Sequence, residues 1–180
     1  MPVFHFVFRA YGTWHPDHAL GWNQHGARGR LQKHIGLGFY RRDIQSQAPV
    51  EFCRGAQQAL VNMAEYACRQ RGIRCHAVVA TSTHMHLVAS WFSGHEAPSL
   101  YQTLKRLLGL RAGEVYRVRG RRWFSHGGRP KRVADAEHLS WLMRRYLPKQ
   151  GGVLWKEGDE VLAWGPVEVA LIARVCAREL

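Results

Sequence analysis

Hydrophobic and polar positions alternate over Val3–Arg9, with three phenylalanines on one side of the pattern. An alternation with a period of two predicts a β-strand, here with an aromatic face directed at the core. Residues 73–80 and 84–90 are also rich in β-branched and apolar side chains, and the short polar link 81–83 separates them. These two stretches predict a pair of neighbouring strands in the same sheet.

Apolar residues recur every three to four positions over residues 49–71 and again over residues 98–111. This spacing predicts two amphipathic helices. Asp135 is a good N-cap, and the apolar stripe that follows it predicts a third helix, ending at a glycine pair. Residues 12–49 are rich in glycine, histidine and arginine without a clear period, so we expect a long loop there.

The chain is predicted to form one domain over residues 1–155, because 180 residues are a normal length for a single core. No internal repeat or low-complexity linker divides the sequence. Residues 156–180 are predicted to be a tail of the same domain. Within it we expect an apolar stretch over residues 161–164 and a short helix over residues 166–178.

The charge balance is strongly basic, with 26 Lys and Arg against 13 Asp and Glu. Ten of the basic residues fall between positions 105 and 132, where they are interleaved with aromatic residues. The same stretch contains one acidic residue. Cations that follow phosphates, with rings that stack on bases, suit single-stranded nucleic acid. The alternatives are a basic surface that only keeps the protein in solution and a basic surface that binds anionic lipid. The candidate contacts are Lys105, Arg119, Arg121, Arg122, Trp123, Lys131 and Arg132.

The four cysteines show no C-x-x-C pair and no zinc-binding spacing, so we expect reduced, mostly buried thiols. The first ten residues alternate and include an arginine, which is not typical of a signal peptide. These features favour a cytoplasmic protein, associated with the bacterial nucleoid. We expect no membrane partner and no nucleotide cofactor.

His84 and His86 fall two residues apart on a predicted strand, so their side chains share one face. Two such imidazoles form half of a metal site, although two ordinary polar-face histidines would give the same pattern. Tyr146 and Gln150 lie four residues apart on the third helix. The Gln150 oxygen suits a third ligand to Mg²⁺ or Mn²⁺. A tyrosine that attacks a DNA phosphorus would keep the energy of the broken phosphodiester bond in a phosphotyrosine linkage. Tyr146 also fits a position in the core of the protein.

At this point the sequence resembles a known family, the single-tyrosine HUH transposases, which are named for a His–hydrophobe–His motif. Within that family it is most similar to the REP-associated tyrosine transposases, and the similarity covers residues 3–155. The matching motifs occur in the family's order: His84-Met85-His86 followed by Leu87, Arg121-Arg122-Trp123-Phe124, and Tyr146-Leu147-Pro148 followed by Gln150-Gly151-Gly152.

The resemblance implies an α+β fold like that of ferredoxin or an RNA-recognition motif. An antiparallel sheet of four to five strands would have helices on one face, with the histidine pair on a central strand. Tyr146 would be the nucleophile on a C-terminal helix, and His84, His86 and Gln150 would hold Mg²⁺ or Mn²⁺. The implied function is a transposase, or nickase-ligase, that cuts and rejoins single-stranded DNA beside a hairpin without ATP. The protein would act as a monomer or a homodimer.

The sequence departs from the family in two places near the proposed site. Ser82-Thr83 replaces the Pro-Asn pair that many relatives have before the first histidine. Pro148 lies between Tyr146 and Gln150, and proline removes a helical N–H and can kink a helix. Two alternatives to the transposase remain open. One is a domesticated protein that binds hairpin DNA or RNA without cutting, and the other is a hydrolytic metal nuclease whose nucleophile is water.

Overall fold

A computed structural model describes residues 1–22, 29–92 and 94–159 of the chain. In these residues five strands form one antiparallel sheet with the order β4-β1-β3-β2-β5. The α+β fold class predicted from the sequence is confirmed, and the strand that carries both histidines is the central one. The strands are β1 (Val3–Arg9), β2 (Arg74–Ala80), β3 (His84–Ser90), β4 (Lys131–Arg132) and β5 (Val153–Lys156).

Helices cover both faces of the sheet, which corrects the expectation that they lie on one face. The two long helices pack on the aromatic face of β1, and the tyrosine-bearing helix packs on the opposite face. The sheet therefore has a second, smaller core around Val79 and Val88. The helices are α1 (Ile35–Asp43), α2 (Arg54–Arg69), α3 (Ala97–Tyr116) and α4 (Ala136–Trp141).

The period-two pattern assigns the residues of the central strand to their faces as predicted. Met85 and Leu87 are fully buried in the core beneath α2 and α3, opposite Phe8 and Phe6 of β1. His86 is buried on the other face. Both faces of β3 are therefore covered, and the histidine pair lies between the sheet and the tyrosine-bearing helix.

The region predicted to be a long loop contains α1. Its sequence includes two glycines and leaves most of its surface exposed, so it lacks the apolar stripe by which helices are recognised. Contacts outside the helix stabilise it instead. The Arg42 guanidinium makes two hydrogen bonds to the Asp17 carboxylate, of 3.0 and 2.6 Å, and the His34 ring caps the first turn.

Two predicted helix boundaries also need correction. Helix α2 begins at Arg54 rather than near residue 49, because the backbone N–H groups of Val50 and Phe52 donate to the Tyr11 and Ser82 carbonyls. Helix α3 continues past residue 111 to Tyr116.

The tyrosine-bearing helix changes its hydrogen-bonding pattern twice. Asp135 caps α4 as predicted, accepting a hydrogen bond from the His138 backbone N–H at 2.7 Å. A π-helical turn over Leu142–Tyr146 and a 3-10 turn over Leu147–Gln150 follow. In a regular α-helix the Pro148 ring would clash with a carbonyl one turn earlier, and the wider π turn relieves that clash. The chain stays helical to Gln150.

The glycine pair ends this helix, as predicted, but its second member has a further role. Gly151 has a φ of 72°, which favours glycine. A Cβ atom on Gly152 would lie 1.9 Å from the Ala80 carbonyl oxygen. The chain therefore leaves the helix directly against the end of β2, and this contact brings Gln150 close to the start of β3.

The cysteine prediction holds only in part. Cys68 and Cys75 are free and buried, whereas Cys53 is disulfide-bonded, which corrects the expectation of reduced thiols. The apolar stretch 161–164 and the helix predicted over residues 166–178 lie outside the described residues.

In the described part of the chain, none of the helices combines the length and the apolar character needed to cross a membrane.

Candidate active site

The loop between β2 and β3 fixes the ring of His84. The Thr81 hydroxyl donates to the His84 carbonyl oxygen at 2.9 Å and accepts from the backbone N–H groups of Thr83 and His84, and the His84 Nδ1 atom lies 3.0 Å from it. The Thr83 hydroxyl also lies 3.0 Å from Nδ1. This loop contains the Ser82-Thr83 departure, and its hydroxyl groups hold the first histidine at the strand end.

His86 is held from the other side, by a histidine on β1. Its Nδ1 atom lies 2.9 Å from Nε2 of His5, and both side chains are buried. The Nε2 atom of His86 is buried and has no hydrogen-bond partner among the described residues. The Nδ1 atom of each of the two rings therefore has a hydrogen-bond partner in the protein.

Gln150 completes the cluster from the end of the 3-10 turn. Its amide nitrogen donates to the Tyr146 carbonyl at 3.2 Å, and its Oε1 atom accepts a hydrogen bond from His84 Nε2 at 3.1 Å. The same amide raises the pKa of His86, so it lies next to both rings, although it makes no hydrogen bond of ordinary geometry to His86 Nε2. The predicted grouping of His84, His86 and Gln150 is present in the structure.

Tyr146 is half-buried beside the histidine cluster. Its ring meets the His86 ring edge-on, with centroids 5.3 Å apart, and lies 5.9 Å from the His5 ring. Trp141, which is 51% exposed, stacks on the other side of it at 5.1 Å. The phenol therefore lies between the buried histidine rings and an exposed indole.

Burial keeps the histidines of this cluster neutral near pH 7. Desolvation lowers the pKa of His86 to about 3, with smaller contributions from His5 and His84. Desolvation also lowers the pKa of His5 to about 4, assisted by Lys131 and His138. The pKa of His84 is lowered mainly by burial, and the Gln150 amide opposes that shift. Neutral imidazoles are the form that ligates metal ions.

Arg9 adds a positive charge to this face of the sheet. It pairs with His84 in the register of β1 and β3, and its guanidinium lies 4.3 Å from the centroid of the Trp14 ring. Burial and Arg30 lower its pKa, whereas attraction to Tyr101 and Tyr146 raises it. Arg9 also lowers the pKa of His84. A half-buried arginine beside the cluster suits a phosphate, which forms paired hydrogen bonds with guanidinium.

The donor atoms of the cluster suit a divalent cation. Ligands to Mg²⁺ lie at about 2.1 Å in near-octahedral geometry, so neighbouring ligand atoms are about 3 Å apart. His84 Nε2 and Gln150 Oε1 are joined by a hydrogen bond of 3.1 Å, a separation that two neighbouring ligands of one ion could also have. Within the described residues no group of three or more His, Cys, Asp or Glu is arranged to hold a metal ion. The third donor here is an amide oxygen, which such a grouping does not include.

The predicted DNA contacts fall in different places. Lys131 lies opposite His5 in the register of β1 and β4 and affects its pKa, so it belongs to the face of the sheet that carries the cluster. Arg132 lies opposite Phe4 and so points to the other face. Lys105, Arg119 and Arg122 line a groove of about 1130 Å³ between α3 and residues 117–126. This basic groove is on the α3 side of the sheet, away from Tyr146.

Two of the predicted contacts are already used within the protein. Trp123 is only 6% exposed and stacks on Tyr116 at 5.0 Å, so its ring is packed in the core rather than open to a base. The Arg121 guanidinium lies 5.3 Å from the Trp123 centroid and donates to the carbonyls of Ala48 and Pro49. The expectation that Trp123 stacks on DNA is corrected, because the aromatic residues of the basic segment anchor the segment itself.

Sequence reasoning missed four residues of the site, namely His5, Arg9, Thr81 and Trp141. His5 and Arg9 left a signal, because each is a polar residue on the valine side of an otherwise apolar strand. Thr81 gave no sequence signal, because threonine is a common residue in the turn between two strands. Trp141 lies five positions before Tyr146 and reaches it only because the helix widens to a π turn.

Comparisons with known proteins give a distant structural similarity. The sequence matches no family model and no curated protein. A solved structure of a REP-associated tyrosine transposase bound to a REP hairpin aligns with 91% of this chain and 89% of its own chain. The two share 8% sequence identity, with a TM-score of 0.41.

Proposed function

We propose that this protein is a metal-dependent transposase, or nickase-ligase, that cuts and rejoins single-stranded DNA through Tyr146. The observation that carries the proposal is the meeting of four side chains that the sequence motifs had named together as candidates. His84, His86, Gln150 and Tyr146 come from a strand and a helix, and their side chains form one cluster. A tyrosine placed only for packing would not require a buried, unpartnered imidazole nitrogen beside it.

The Tyr146 oxygen attacks a DNA phosphorus, a phosphorus–tyrosine bond forms, and the bond from phosphorus to the 3′-oxygen breaks. The phenol proton is released to solvent and the 3′-oxygen takes up a proton, leaving a free 3′-hydroxyl and a 5′-phosphotyrosine. One phosphodiester replaces another, so a 3′-hydroxyl can reverse the step without ATP. A divalent ion held by His84, His86 and Gln150 would stabilise the charge on the phosphate and leaving oxygen.

The remaining residues of the site position the DNA. Arg9, half-buried beside the cluster, binds the phosphate that is attacked. Trp141 is exposed and parallel to the Tyr146 ring to within 26°, so its open surface suits stacking by a base next to that phosphate. Lys131 and the basic groove hold the flanking strand or its hairpin.

A covalent-adduct assay tests this function. The protein is incubated with a pool of labelled single-stranded hairpin DNAs and Mn²⁺, then run on a denaturing protein gel. We expect a labelled band at the mass of the protein, lost with EDTA and in Tyr146→Phe, but kept in Tyr66→Phe, an exposed tyrosine on α2. Binding without an adduct across a varied pool would instead favour the domesticated binder, and cleavage without an adduct would favour the hydrolytic nuclease.

A further inference from the structure

His5 makes a side-chain hydrogen bond to His86, but it meets Nδ1 of that ring rather than Nε2, the nitrogen that would bind a metal ion. Its Nε2 atom meets Nδ1 of His86 at 2.9 Å. The planes of the two rings are 23° apart and the ring centroids 5.0 Å apart, an edge-to-edge arrangement that suits an in-plane hydrogen bond. An ion on His86 would lie at Nε2, the other nitrogen of the ring.

A hydrogen bond between two neutral imidazoles has only two arrangements. If His5 donates, the proton of His86 is on its Nε2 atom, and that N–H is buried and makes no hydrogen bond of ordinary geometry among the described residues, although the Gln150 amide lies beside it. An unpaired buried donor costs about 1–3 kcal/mol. If His86 donates from Nδ1, its Nε2 atom carries a lone pair directed at the cluster, and a bound cation satisfies it.

We propose that His5 is a positioning residue that accepts the His86 Nδ1–H and so keeps the His86 Nε2 lone pair open as a metal ligand. Ligating histidines generally donate their second ring N–H to a protein acceptor that fixes tautomer and orientation. Here the acceptor is another imidazole. The proposal rests on the metal site of the proposed function, and it assigns a residue outside the His-x-His motif to that site.

Histidine tautomers can be read directly by long-range ¹H–¹⁵N correlation spectra of the metal-free full-length protein, labelled with ¹⁵N-histidine. The His86 signals are assigned by their loss in His86→Gln. We expect His86 to carry its proton on Nδ1 in the wild-type protein. A proton on Nε2 of His86 would overturn the proposal, and this readout depends on neither metal binding nor DNA cleavage.

A second test measures Mn²⁺ binding by variants of the protein. His5→Phe keeps a ring but removes the acceptor, and we expect Mn²⁺ binding to weaken about 10- to 100-fold. His5→Gln, which retains an acceptor oxygen, should restore much of that loss. His76→Phe on β2, where the ring bonds Ser90 instead, is the matched control and should bind Mn²⁺ as wild type does. Equal weakening in His5→Phe and His5→Gln would overturn the proposal.

The two tests distinguish a failure of this inference from a failure of the proposed function. A His86 proton on Nδ1 together with no Mn²⁺ binding in the wild-type protein would support the role of His5 in fixing the ring and would contradict the metal site. Mn²⁺ binding with a His86 proton on Nε2 in the metal-free protein would support the metal site and contradict the role of His5.

Discussion

Nε2 of His84 and Oε1 of Gln150 lie 3.1 Å apart, although the two residues are 66 positions apart in the sequence. One is at the start of the central strand and the other is at the end of a helix that packs on the opposite side of the sheet from α2 and α3. Their meeting depends on the short β2–β3 loop and on the glycine pair that follows the helix. The predictions below test that arrangement and the chemistry assigned to it.

Replacing Gln150 with leucine should weaken Mn²⁺ binding. The change keeps a side chain of similar size but removes Oε1 and the amide that bonds the Tyr146 carbonyl. We expect the dissociation constant, measured by isothermal titration calorimetry, to rise about tenfold or more. Gln102→Leu, at an exposed position on α3, is the control and should leave it unchanged. Equal affinities of Gln150→Leu and wild type would remove Gln150 from the site.

Gly152→Ala should destabilise the protein although its backbone is not in the left-handed region. The added Cβ would meet the Ala80 carbonyl oxygen at 1.9 Å, so the chain after the helix must move away from β2. We expect a loss of about 1–3 kcal/mol in the free energy of unfolding, measured with urea. Gly109→Ala, whose Cβ would meet nothing within 4 Å, should instead be neutral or stabilising. Similar effects of the two substitutions would contradict the close contact.

Unfolding free energy should fall as the pH drops below about 6.5, before the carboxylates titrate. The buried histidines have lowered pKa values in the folded protein, about 4 for His5 and about 3 for His86. Between those values and the unfolded value of about 6.5, the unfolded chain binds more protons, so acid favours unfolding. His5 alone corresponds to roughly 3 kcal/mol once the pH is below 4.

Urea unfolding at several pH values, without added metal, measures this effect. The wild-type protein should keep its full stability above pH 7 and lose it progressively from pH 6.5 to pH 4.5. The variant His5→Phe removes one of the titrating groups and should show a shallower loss over the same range. A stability that is constant between pH 6.5 and pH 4.5 would show that these histidines are not buried as neutral groups.

DNA binding should weaken steeply with salt, and exposed cations near the site should each account for part of the slope. Lys131 is exposed on β4, next to the histidine face. Lys131→Ala should reduce the slope of log affinity against log salt concentration by about 0.7, the value for one contact to a single strand. Arg54→Ala, at the start of α2 on the other face of the sheet, should keep the wild-type slope. Affinity that does not depend on salt would rule out phosphate contacts by these cations.

The sequence was most informative where side chains follow a strict period. The alternation along β1 and β3 predicted which residues face the core, and the two histidines share a face as expected. The four-residue spacing of Tyr146 and Gln150 also predicted their proximity. What it could not predict is how the helix accommodates Pro148, because a π turn followed by a 3-10 turn carries no distinct sequence pattern.

Residues that act through tertiary contacts were harder to find. Helix α1 depends on an ion pair between Asp17 and Arg42, 25 positions apart, and its own apolar pattern is weak. Trp123 looked like a base-stacking residue because basic and aromatic residues alternate there, but its ring is buried in the core. Composition indicates that a segment is rich in cations and rings, whereas only the packing shows which of them remain available to a ligand.

The most direct test of the account is to identify the residue that becomes linked to DNA. The wild-type protein is reacted with single-stranded hairpin DNA and Mn²⁺, digested with protease and nuclease, and analysed by tandem mass spectrometry. The account predicts a 5′-phosphonucleotide on Tyr146, and no such modification when EDTA is present. An adduct on another residue, or cleaved DNA with free 5′-phosphate ends and no adduct, would contradict the assignment of Tyr146 as the nucleophile.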